Sequence, residues 1–470
     1  MAEHGEKNHL KDLAEYIVSI RSDALPADVK AAATASCSDT LGCAIGALDY
    51  EEAPQVIETF LAYSGTYGQN DACASIWGGM NKTSVFKASL LNGILSHSLE
   101  LDDVHTSSKT HIGAVVIPAA WSLAEAVGAK GADLIEAVVA GYETMSRIGH
   151  GFGVSDHRLK GWHSSGTAGT FGAAAAAAKL LNLNAFETLY ALGMAGTQSS
   201  GVWAFLEDGA TSKKLHTGRA AENGVVAAFL AKAGMTGPAR ILNAEDGGLY
   251  RAMSDRADIE AVSRGLGQNY EILKVDRKPY PCCRSMHPAL DAILEIRGEK
   301  SKGKTAPGDI ARISIKSYEV GVKQCGVIKY PANVSEAKFS MRFGVAAAFI
   351  DGEAGRKQFS QERIADPEVR ALASKIDYSA DDFFTSRYPK NWGCSLAVEF
   401  NDGSRAEKTV TTPSGSVNNP MTEAQLDKKF SGLVSPFLGA HKADAVLKAL
   451  KNLENLSSIS GLLAPASVSK

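Results

Sequence analysis

The sequence is poor in cysteine and has no long uncharged hydrophobic run. Its seven cysteines are odd in number, scattered and without a CxxC spacing, which argues against a disulfide framework, a zinc knuckle or a cysteine-bound iron–sulfur cluster. No stretch of about 18 apolar residues lacks a charge, so we predict no membrane-spanning helix. The N-terminal segment has no uninterrupted apolar core, which argues against a signal peptide. Together these absences predict a cytoplasmic protein.

A marked excess of positive charge is also missing. The chain has 49 Lys and Arg against 52 Asp and Glu, and its formal net charge is -3. Without a block of basic residues, a nucleic-acid partner is not predicted. A small anionic substrate is compatible with this balance, because a local pocket needs only two or three cations.

The apolar pattern predicts a mainly α protein of more than one domain. Residues 1 to about 265 show helical spacing almost throughout, including the alanine run 173–178. Residues 311–320 alternate like a strand, and 394–412 predict a hairpin around Asn401-Asp402-Gly403. Helical spacing then returns. We predict an all-helical domain formed by 1–267 plus 414–470, with a smaller α+β lid domain, 268–413, inserted in it.

The most unusual stretch, HSLELDDVHTSSKTH, precedes an apolar helix. Its titratable residues are His97, Glu100, Asp102, Asp103, His105, Lys109 and His111. One interpretation is a solvated polar loop. A second is a metal site, since four of these residues (Asp102, Asp103, His105, His111) are plausible ligands, but no zinc pattern such as HExxH is present. A diphosphate site of the DDxxD type lacks its third carboxylate.

Three further clusters carry possible chemistry. His163 lies in GWHSSGTAGTFG, which is either a helix cap with His163 stacked on Trp162 or an anion site at a helix N-terminus. Four basic side chains lie just before a predicted helix in GATSKKLHTGRAAENG; they are Lys213, Lys214, His216 and Arg219. Cations at a helix N-terminus oppose the helix dipole, so an anionic ligand would explain their position. KPYPCCRSMHPALDAI supplies Lys278, Arg284 and His287, and we interpret its two thiols, Cys282 and Cys283, as packing groups.

These clusters together predict a carboxylate site with acid–base chemistry. Histidine titrates near neutral pH and can transfer protons. Lysines and helix N-termini can stabilise the charge that builds on a carboxylate when the proton beside it leaves. A substrate with two or three carboxylates fits this set.

In their order along the chain, the four motifs resemble the MmgE/PrpD family, which includes 2-methylcitrate dehydratase, cis-aconitate decarboxylase and iminodisuccinate epimerase. The resemblance extends from about residue 10 to 460. It implies a helical domain, an inserted lid domain and a homodimer formed through the helical domains. It also implies a site between the two domains that uses neither a metal nor a cofactor.

The resemblance assigns family residues to positions of this chain. The family histidines fall on His111 and His163, the lysines on Lys213 and Lys278, and the acidic pair on Asp102 and Asp103. The predicted catalytic residues are His111, His163, Lys213 and Asp103. The predicted substrate-binding residues are Asp102, Lys278, His105, Lys214, Arg284 and His287.

Three positions depart from the animal cis-aconitate decarboxylases that this chain resembles. Cys283 replaces an active-site histidine, Glu100 an aspartate and Val104 a threonine. These differences weaken a decarboxylase assignment but do not select a dehydratase, because one scaffold supports several reactions. We predict metal-independent dehydration of a 2-methylcitrate-like di- or tricarboxylate. Decarboxylation of cis-aconitate and epimerisation of an iminodisuccinate-like dicarboxylate are the enzymatic alternatives, and a catalytically silent carboxylate-binding protein is the non-enzymatic one.

Overall fold

The N-terminal half of the molecule is a bundle of closely packed helices. The computed structural model describes residues 7–63, 73–79, 81–300 and 306–463. The first helices and strands are α1 (His9–Ser19), α2 (Ala27–Ile45), α3 (Ala53–Ala62), β1 (Cys73–Ser75), β2 (Lys82–Ser84), α4 (Val85–Ser98), α5 (Gly113–Ala126), α6 (Gly131–Gly151), α7 (Val154–Leu159), α8 (Ser164–Thr167), α9 (Gly169–Leu180), α10 (Ala185–Gly196), α11 (Lys213–Lys232) and α12 (Leu249–Met253). Strands β1 and β2 form a short antiparallel pair.

Small residues bring these helices together. The alanine run 173–178 lies in α9 and is buried. A Cβ atom added at Gly224 of α11 would come within 2.4 Å of the Ala173 Cβ, and one at Gly141 of α6 within 3.0 Å of the Gly172 carbonyl oxygen of α9. The backbones of α6, α9 and α11 therefore approach more closely than larger side chains would permit.

The crossing of α4 and α11 positions the polar residues discussed below. A Cβ atom at Gly93 would lie 2.7 Å from the Gly218 Cα, and one at Gly218 would lie 2.5 Å from the Leu90 carbonyl oxygen. Contact at this glycine pair brings the C-terminal turn of α4, with His97, next to the N-terminal turn of α11, with Lys213.

The second half of the chain combines a four-stranded sheet with short helices. The elements are α13 (His287–Lys300), β3 (Ile310–Ser317), α14 (Glu319–Cys325), α15 (Val334–Ala337), α16 (Met341–Asp351), α17 (Gln361–Ala365), α18 (Pro367–Ala373), β4 (Ile376–Ala380), α19 (Asp382–Thr385), β5 (Cys394–Phe400), β6 (Arg405–Val410), α20 (Glu423–Leu438) and α21 (Ala440–Lys451). The strand order is β4-β3-β5-β6, with β3 and β4 parallel and the other pairs antiparallel. The hairpin turns at Gly403, whose φ of 84° suits glycine.

The buried apolar residues form two main cores. One contains α1 to α12 together with the last two helices, and the other contains the sheet and α13 to α18. α20 begins with a reciprocal cap between Thr422 and Gln425 and packs its Phe430 against Gly42 of α2. This return of the chain supports the inserted lid domain, 268–413, which stays a prediction.

The mainly α fold class is confirmed, whereas several local expectations differ. Residues 1–265 are less helical than predicted, because β1 and β2 interrupt them and 233–265 contain only short helices and turns. The strand predicted at 311–320 ends at Ser317, where α14 follows. Strand β4 was not predicted, since its five residues follow a helical pattern without a turn signal.

In the described part of the chain, no helix combines the length and apolar character that a bilayer crossing requires. All seven cysteines are buried and none is in a disulfide.

Candidate active site

A buried carboxylate, Glu100, joins the α4–α11 crossing to the lysine-containing segment that follows residue 277. Its carboxylate accepts hydrogen bonds from Lys213 and from Lys278, whose Nζ lies 3.3 Å from Oε2 and 2.8 Å from the Glu100 carbonyl oxygen. His97 Nε2 lies 3.2 Å from Oε1. The φ of Glu100 is 55°, a left-handed conformation that is uncommon for a residue with a side chain. Such a conformation persists only where the surrounding contacts fix it.

The ion pairs of Glu100 keep it charged in the interior. Burial raises its pKa, but the two lysines with His97 and His111 offset this and hold the pKa well below the usual range. Burial lowers the pKa of Lys278, whereas Glu100 and Asp102 raise it, and the pKa ends above its ordinary value. The Lys278 ammonium group is therefore positive at neutral pH because Glu100 and Asp102 surround it.

Asp102 lies between two histidines. Its Oδ1 is 2.9 Å from His97 Nδ1, and its Oδ2 is 3.0 Å from His111 Nδ1. Burial raises the pKa of Asp102, but His97 and His111 lower it well below its usual value. The three side chains form a hydrogen-bonded relay in which the carboxylate orients both imidazoles.

The free nitrogen of His111 is defined by its other contacts. Nδ1 lies 3.1 Å from the Asp103 carbonyl oxygen, which only accepts hydrogen bonds, so Nδ1 carries the proton. The backbone N–H of His111 donates to Ser165 Oγ at 3.0 Å. Burial lowers the pKa of His111 to about 3, and Asp102 opposes this effect without cancelling it. At neutral pH, His111 is therefore a neutral imidazole whose Nε2 lone pair is free. Its side chain keeps 11% exposure, whereas that of His97 is fully buried.

A second pair of imidazoles lies beside this relay. His163 Nδ1 is 2.9 Å from His216 Nδ1, so one ring donates a proton and the other accepts it. Burial lowers the pKa of both rings, that of His216 to about 4. The rings of His163 and His97 are 6.4 Å apart. The aromatic neighbour of His163 is Trp203, at 5.4 Å, and not the predicted Trp162.

Lysines also line a small cavity between the two cores. The cavity has a volume of about 20 Å³. Its lining is Glu51, His97, Ser98, Glu100, Thr211, Lys213, Lys214, Ser335, Lys338 and Phe339. Lys214 pairs with Glu51 at 2.8 Å, and Lys338 donates to the Ser98 carbonyl oxygen at 2.7 Å. Burial lowers the pKa of Lys338 to about 7.

The small cavity, and not the larger ones, is the candidate site. A cavity of about 580 Å³ lies between α2, α20 and α21, but no histidine lines it. The 20 Å³ cavity holds about one water molecule, so a tricarboxylate enters only after the two cores separate there. Convergence of titratable side chains is the stronger indicator of chemistry.

Four of the predicted site residues make their main contacts elsewhere. The Asp103 carboxylate accepts from Gly113 N–H at 2.8 Å and from the Tyr142 hydroxyl at 2.6 Å. Burial raises its pKa to about 7. Asp103 therefore anchors the start of α5. The sequence predicted a catalytic role for Asp103 and substrate binding for Asp102. In the structure Asp102, and not Asp103, lies in the relay.

His105, Arg284 and His287 also lie outside the cavity lining. Four other predicted residues do not line it either but lie next to its residues His97 and Glu100; they are Asp102, His111, His163 and Lys278. His105 bonds Ser108 at 2.7 Å and approaches Glu271. Arg284 contacts His287 Nδ1 at 2.9 Å and Asp276 at 3.2 Å, which fixes the backbone around Lys278. Their positions indicate support of the site and not contact with a substrate.

Several residues of the cluster were not among the predicted site residues. His97 and Glu100 were present in the histidine-rich motif, and His216 in the basic one, but no spacing rule marks them. Lys338 lies in the second half of the chain and has no motif signal. Cys283 lies near Lys213, and a hydrogen bond from Cys325 lowers the pKa of its thiol.

One set of side chains in the cluster has the composition of a metal site. Ligand atoms of His97, Asp102 and His111 lie within 4.8 Å of one another. Both Nδ1 atoms are already hydrogen-bonded to Asp102, so a metal would have to replace these direct bonds. These direct hydrogen bonds are therefore sufficient to hold the three side chains together as a proton relay.

Comparison with known proteins gives the family. The MmgE/PrpD N-terminal domain matches residues 11–262, and the MmgE/PrpD C-terminal domain matches residues 280–455. Human cis-aconitate decarboxylase is 30% identical over 416 residues, which cover 85% of this chain and 83% of the relative. The cis-aconitate decarboxylase of Aspergillus terreus is 26% identical over 470 residues, covering 96% and 94%. The cis-aconitate decarboxylase-like protein oryM of Aspergillus oryzae is 25% identical over 476 residues, covering 98% and 97%. This chain therefore belongs to the MmgE/PrpD family, and the activities of its relatives support a lyase-type enzymatic function for it.

Proposed function

We propose that this enzyme removes water from a small di- or tricarboxylate of the 2-methylcitrate type, with His111 as the base. The observation that carries the proposal is the relay of His111, Asp102 and His97, which engages Nδ1 of a neutral His111; its Nε2 has no hydrogen bond within the described residues. A neutral imidazole accepts a proton from the carbon beside a carboxylate. The adjacent Asp102 stabilises the imidazolium that then forms.

Lys213 and Lys278 bind the substrate carboxylate next to the reacting carbon. In the structure both lysines contact Glu100, whose carboxylate occupies the position between them. A substrate carboxylate that shares these ammonium groups gains two charge-assisted hydrogen bonds. As the proton leaves the carbon, negative charge moves onto this carboxylate, where the lysines stabilise it.

The His163–His216 pair supplies a proton to the departing hydroxyl group, because the negative charge of the bound substrate raises the pKa that burial lowers in these rings. The pair already holds a shared proton at 2.9 Å. The C–O bond then breaks, its electron pair leaves with the oxygen, and the added proton completes a water molecule. Removal and delivery of protons are thus divided between two sets of imidazoles.

Decarboxylation of cis-aconitate is the second candidate, and the matched relatives favour it. In that reaction a C–C bond breaks, CO₂ leaves, and the carbon accepts a proton. The low pKa of His111 suits proton abstraction better than proton donation. Cys283 and Val104, which replace a histidine and a threonine of the animal decarboxylases, weaken the decarboxylase assignment without selecting another reaction.

The test is incubation of the purified protein with 2-methylcitrate, citrate, cis-aconitate and iminodisuccinate, followed by NMR in D₂O. Loss of water from a citrate-type substrate supports the proposal. Release of CO₂ supports the second candidate, and stereochemical exchange alone supports an epimerase. Calorimetric binding without turnover would identify a silent carboxylate-binding protein. For the active-site histidine variant His163→Ala, the matched control is His441→Ala, which replaces an exposed histidine of α21.

The proposed chemistry uses no metal or cofactor, and we further propose a homodimer that acts in the cytoplasm. Turnover should persist after exhaustive chelation while circular dichroism shows that the protein stays folded, and its complete loss in folded protein would contradict the mechanism. Sedimentation equilibrium of the full chain should give twice the mass of 49.5 kDa. A monomer would contradict the proposed assembly.

A further inference from the structure

A second group of ligand-type side chains lies outside the candidate active site. His105, His150 and Glu271 place His105 Nε2, His150 Nε2 and a Glu271 carboxylate oxygen within 4.8 Å of one another. His105 is fully buried, Glu271 is buried and His150 is half-buried. These residues come from three separate parts of the chain, namely the loop before α5, the end of α6 and the 3-10 helix Glu271–Lys274.

Their spacing fits a tetrahedral zinc ion. Two ligands bound tetrahedrally at about 2.0–2.1 Å from zinc are about 3.3–3.4 Å apart. The observed distances from Glu271 Oε2 are 3.2 Å to His105 Nε2 and 3.6 Å to His150 Nε2. Two imidazole nitrogens and one carboxylate are also a common protein ligand set for zinc.

Two ligand atoms contact each other without a well-aligned hydrogen bond. The buried Nε2 of His105 and Oε2 of Glu271 lie 3.2 Å apart, and neither makes a well-aligned hydrogen bond in the described part of the chain. An ion that binds both atoms would replace this contact with two direct bonds. His150 Nε2 has one long contact, at 3.4 Å to Ser107 Oγ.

The surrounding contacts prepare these atoms for a cation. His105 Nδ1 lies 2.7 Å from Ser108 Oγ, so a proton on Nδ1 leaves Nε2 with its lone pair. Lys274 Nζ binds the other oxygen of Glu271, Oε1, at 2.7 Å.

Access and a fourth ligand position are also present. A cavity of about 310 Å³ adjoins the cluster and is lined by His150 and Glu271. Its other walls include the cations Arg147, Arg264 and Lys274. A water molecule or a small anion from this cavity can complete the tetrahedron, and the cations favour an anion.

We propose that His105, His150 and Glu271 form a structural zinc site. The ion links the loop between Asp103 and His111 to α6 and to the 3-10 helix that begins at Glu271. The loop is already joined to the segment just after this helix by reciprocal backbone hydrogen bonds, of 2.9 Å each, between Val104 and Asp276. Zinc therefore stabilises the loop that carries Asp102 and His111 without taking part in the reaction, and the site is independent of which substrate the enzyme uses.

The test is zinc binding by the full-length protein after dialysis against EDTA. Titration with Zn²⁺ against a chromophoric chelator should give one tight site per chain, and Zn²⁺ should raise the melting temperature. His150→Ala and Glu271→Gln should each weaken binding at least tenfold and remove most of the thermal shift. Circular dichroism of the two variants establishes that they fold, and the half-buried position of His150 makes its replacement mild.

Two control variants distinguish this site from others. His441→Ala removes an exposed histidine, and His111→Gln removes a ligand-type atom from the candidate active site; both should bind zinc like the wild type. Absence of tight zinc binding in the wild type would overturn the proposal. Unchanged binding in His150→Ala, or loss of binding in His111→Gln, would also overturn it, since the ion would then lie elsewhere.

Discussion

Replacement of Asp102 by asparagine tests the proposed relay most directly. The side chain keeps its size but loses its charge and one of its two acceptor oxygens. Asp102 now accepts from His97 at 2.9 Å and from His111 at 3.0 Å. An amide can accept from only one of them and presents an N–H group to the other, so one imidazole loses its orienting partner.

The expected loss follows from the distance between Asp102 and His111. Two unit charges 3.0 Å apart attract by about 5.5 kcal/mol at an effective dielectric constant of about 20. This attraction stabilises the imidazolium that forms when His111 takes the proton, and the amide dipole retains part of it. We therefore expect the activation free energy to rise by about 3–5 kcal/mol, which lowers kcat by about 10²–10⁴-fold. KM should change little, because the lysines and not Asp102 hold the substrate in the proposed mechanism.

The neighbouring residue provides the matched control. Asp103→Asn is the same change one position further along the chain, in a carboxylate that bonds Tyr142 and Gly113. Its raised pKa of about 7 means that the folded state binds a proton more readily than the unfolded state. The stability from Asp103 is thus present below pH 4 and is lost as the pH rises towards 7. Asp103→Asn should remove this pH dependence of the melting temperature and change kcat less than threefold.

The assay is steady-state turnover of whichever substrate the NMR panel identifies, together with melting curves between pH 4 and 8. A folded Asp102→Asn enzyme with wild-type kcat would refute the relay. Loss of activity in folded Asp103→Asn that exceeds the loss in Asp102→Asn would restore the catalytic role predicted for Asp103 from the sequence.

Three other variants probe the rest of the site. His163→Ala should leave the protein folded and lower kcat at least tenfold, and unchanged turnover would remove its role as proton donor. The KM of the wild type should rise as the pH increases through about 7, because Lys338 then loses its charge. The Lys338→Gln variant should have a higher KM than the wild type at about pH 6, and its KM should not show this pH dependence. Gly218→Ala should destabilise the fold by at least about 2 kcal/mol, since the new Cβ would meet the Leu90 carbonyl oxygen at 2.5 Å, whereas Gly432→Ala, in open space on α20, should be neutral or stabilising in urea melts.

Local patterns predicted those parts of the fold in which local contacts decide the structure. The alanine run of α9 and the hairpin around Gly403 were predictable because helix propensity and turn geometry act over a few residues. The segment after α12 was not predictable in this way. Glu143 of α6 accepts the backbone N–H groups of residues 271 and 272, and Arg147 donates to the carbonyls of residues 264 and 269. Side chains that lie 117 to 129 residues away along the chain therefore satisfy this backbone, and the sequence around it contains no sign of that.

The candidate site was predictable as a set of segments but not as a set of contacts. The concentration of histidines between 97 and 111 indicated the correct region. Asp102 and Asp103 are adjacent and chemically identical, yet one faces two imidazoles and the other faces Tyr142. Nothing local distinguishes them, because the direction of each side chain depends on where α4, α5 and α6 cross. His150 and Glu271 are separated from His105 by 45 and 166 positions, so their convergence required the folded structure.

The boundary between the two cores, here called the seam, explains how a substrate can reach so small a cavity. At this seam Lys338 donates to the Ser98 carbonyl oxygen at 2.7 Å and lies 4.1 Å from the Tyr50 ring, and Arg356 bonds Gly46 and Asp49. These polar contacts are each worth only about 0.5–3 kcal/mol, because water replaces them when they break. The apolar side chains of each core, in contrast, stay buried if the cores separate as units. A boundary held by such polar contacts therefore passes through the 20 Å³ cavity, beside Glu100 and the lysines that it neutralises. A substrate that enters along this seam brings its own carboxylates to those lysines, so binding both opens the site and replaces the charge of Glu100.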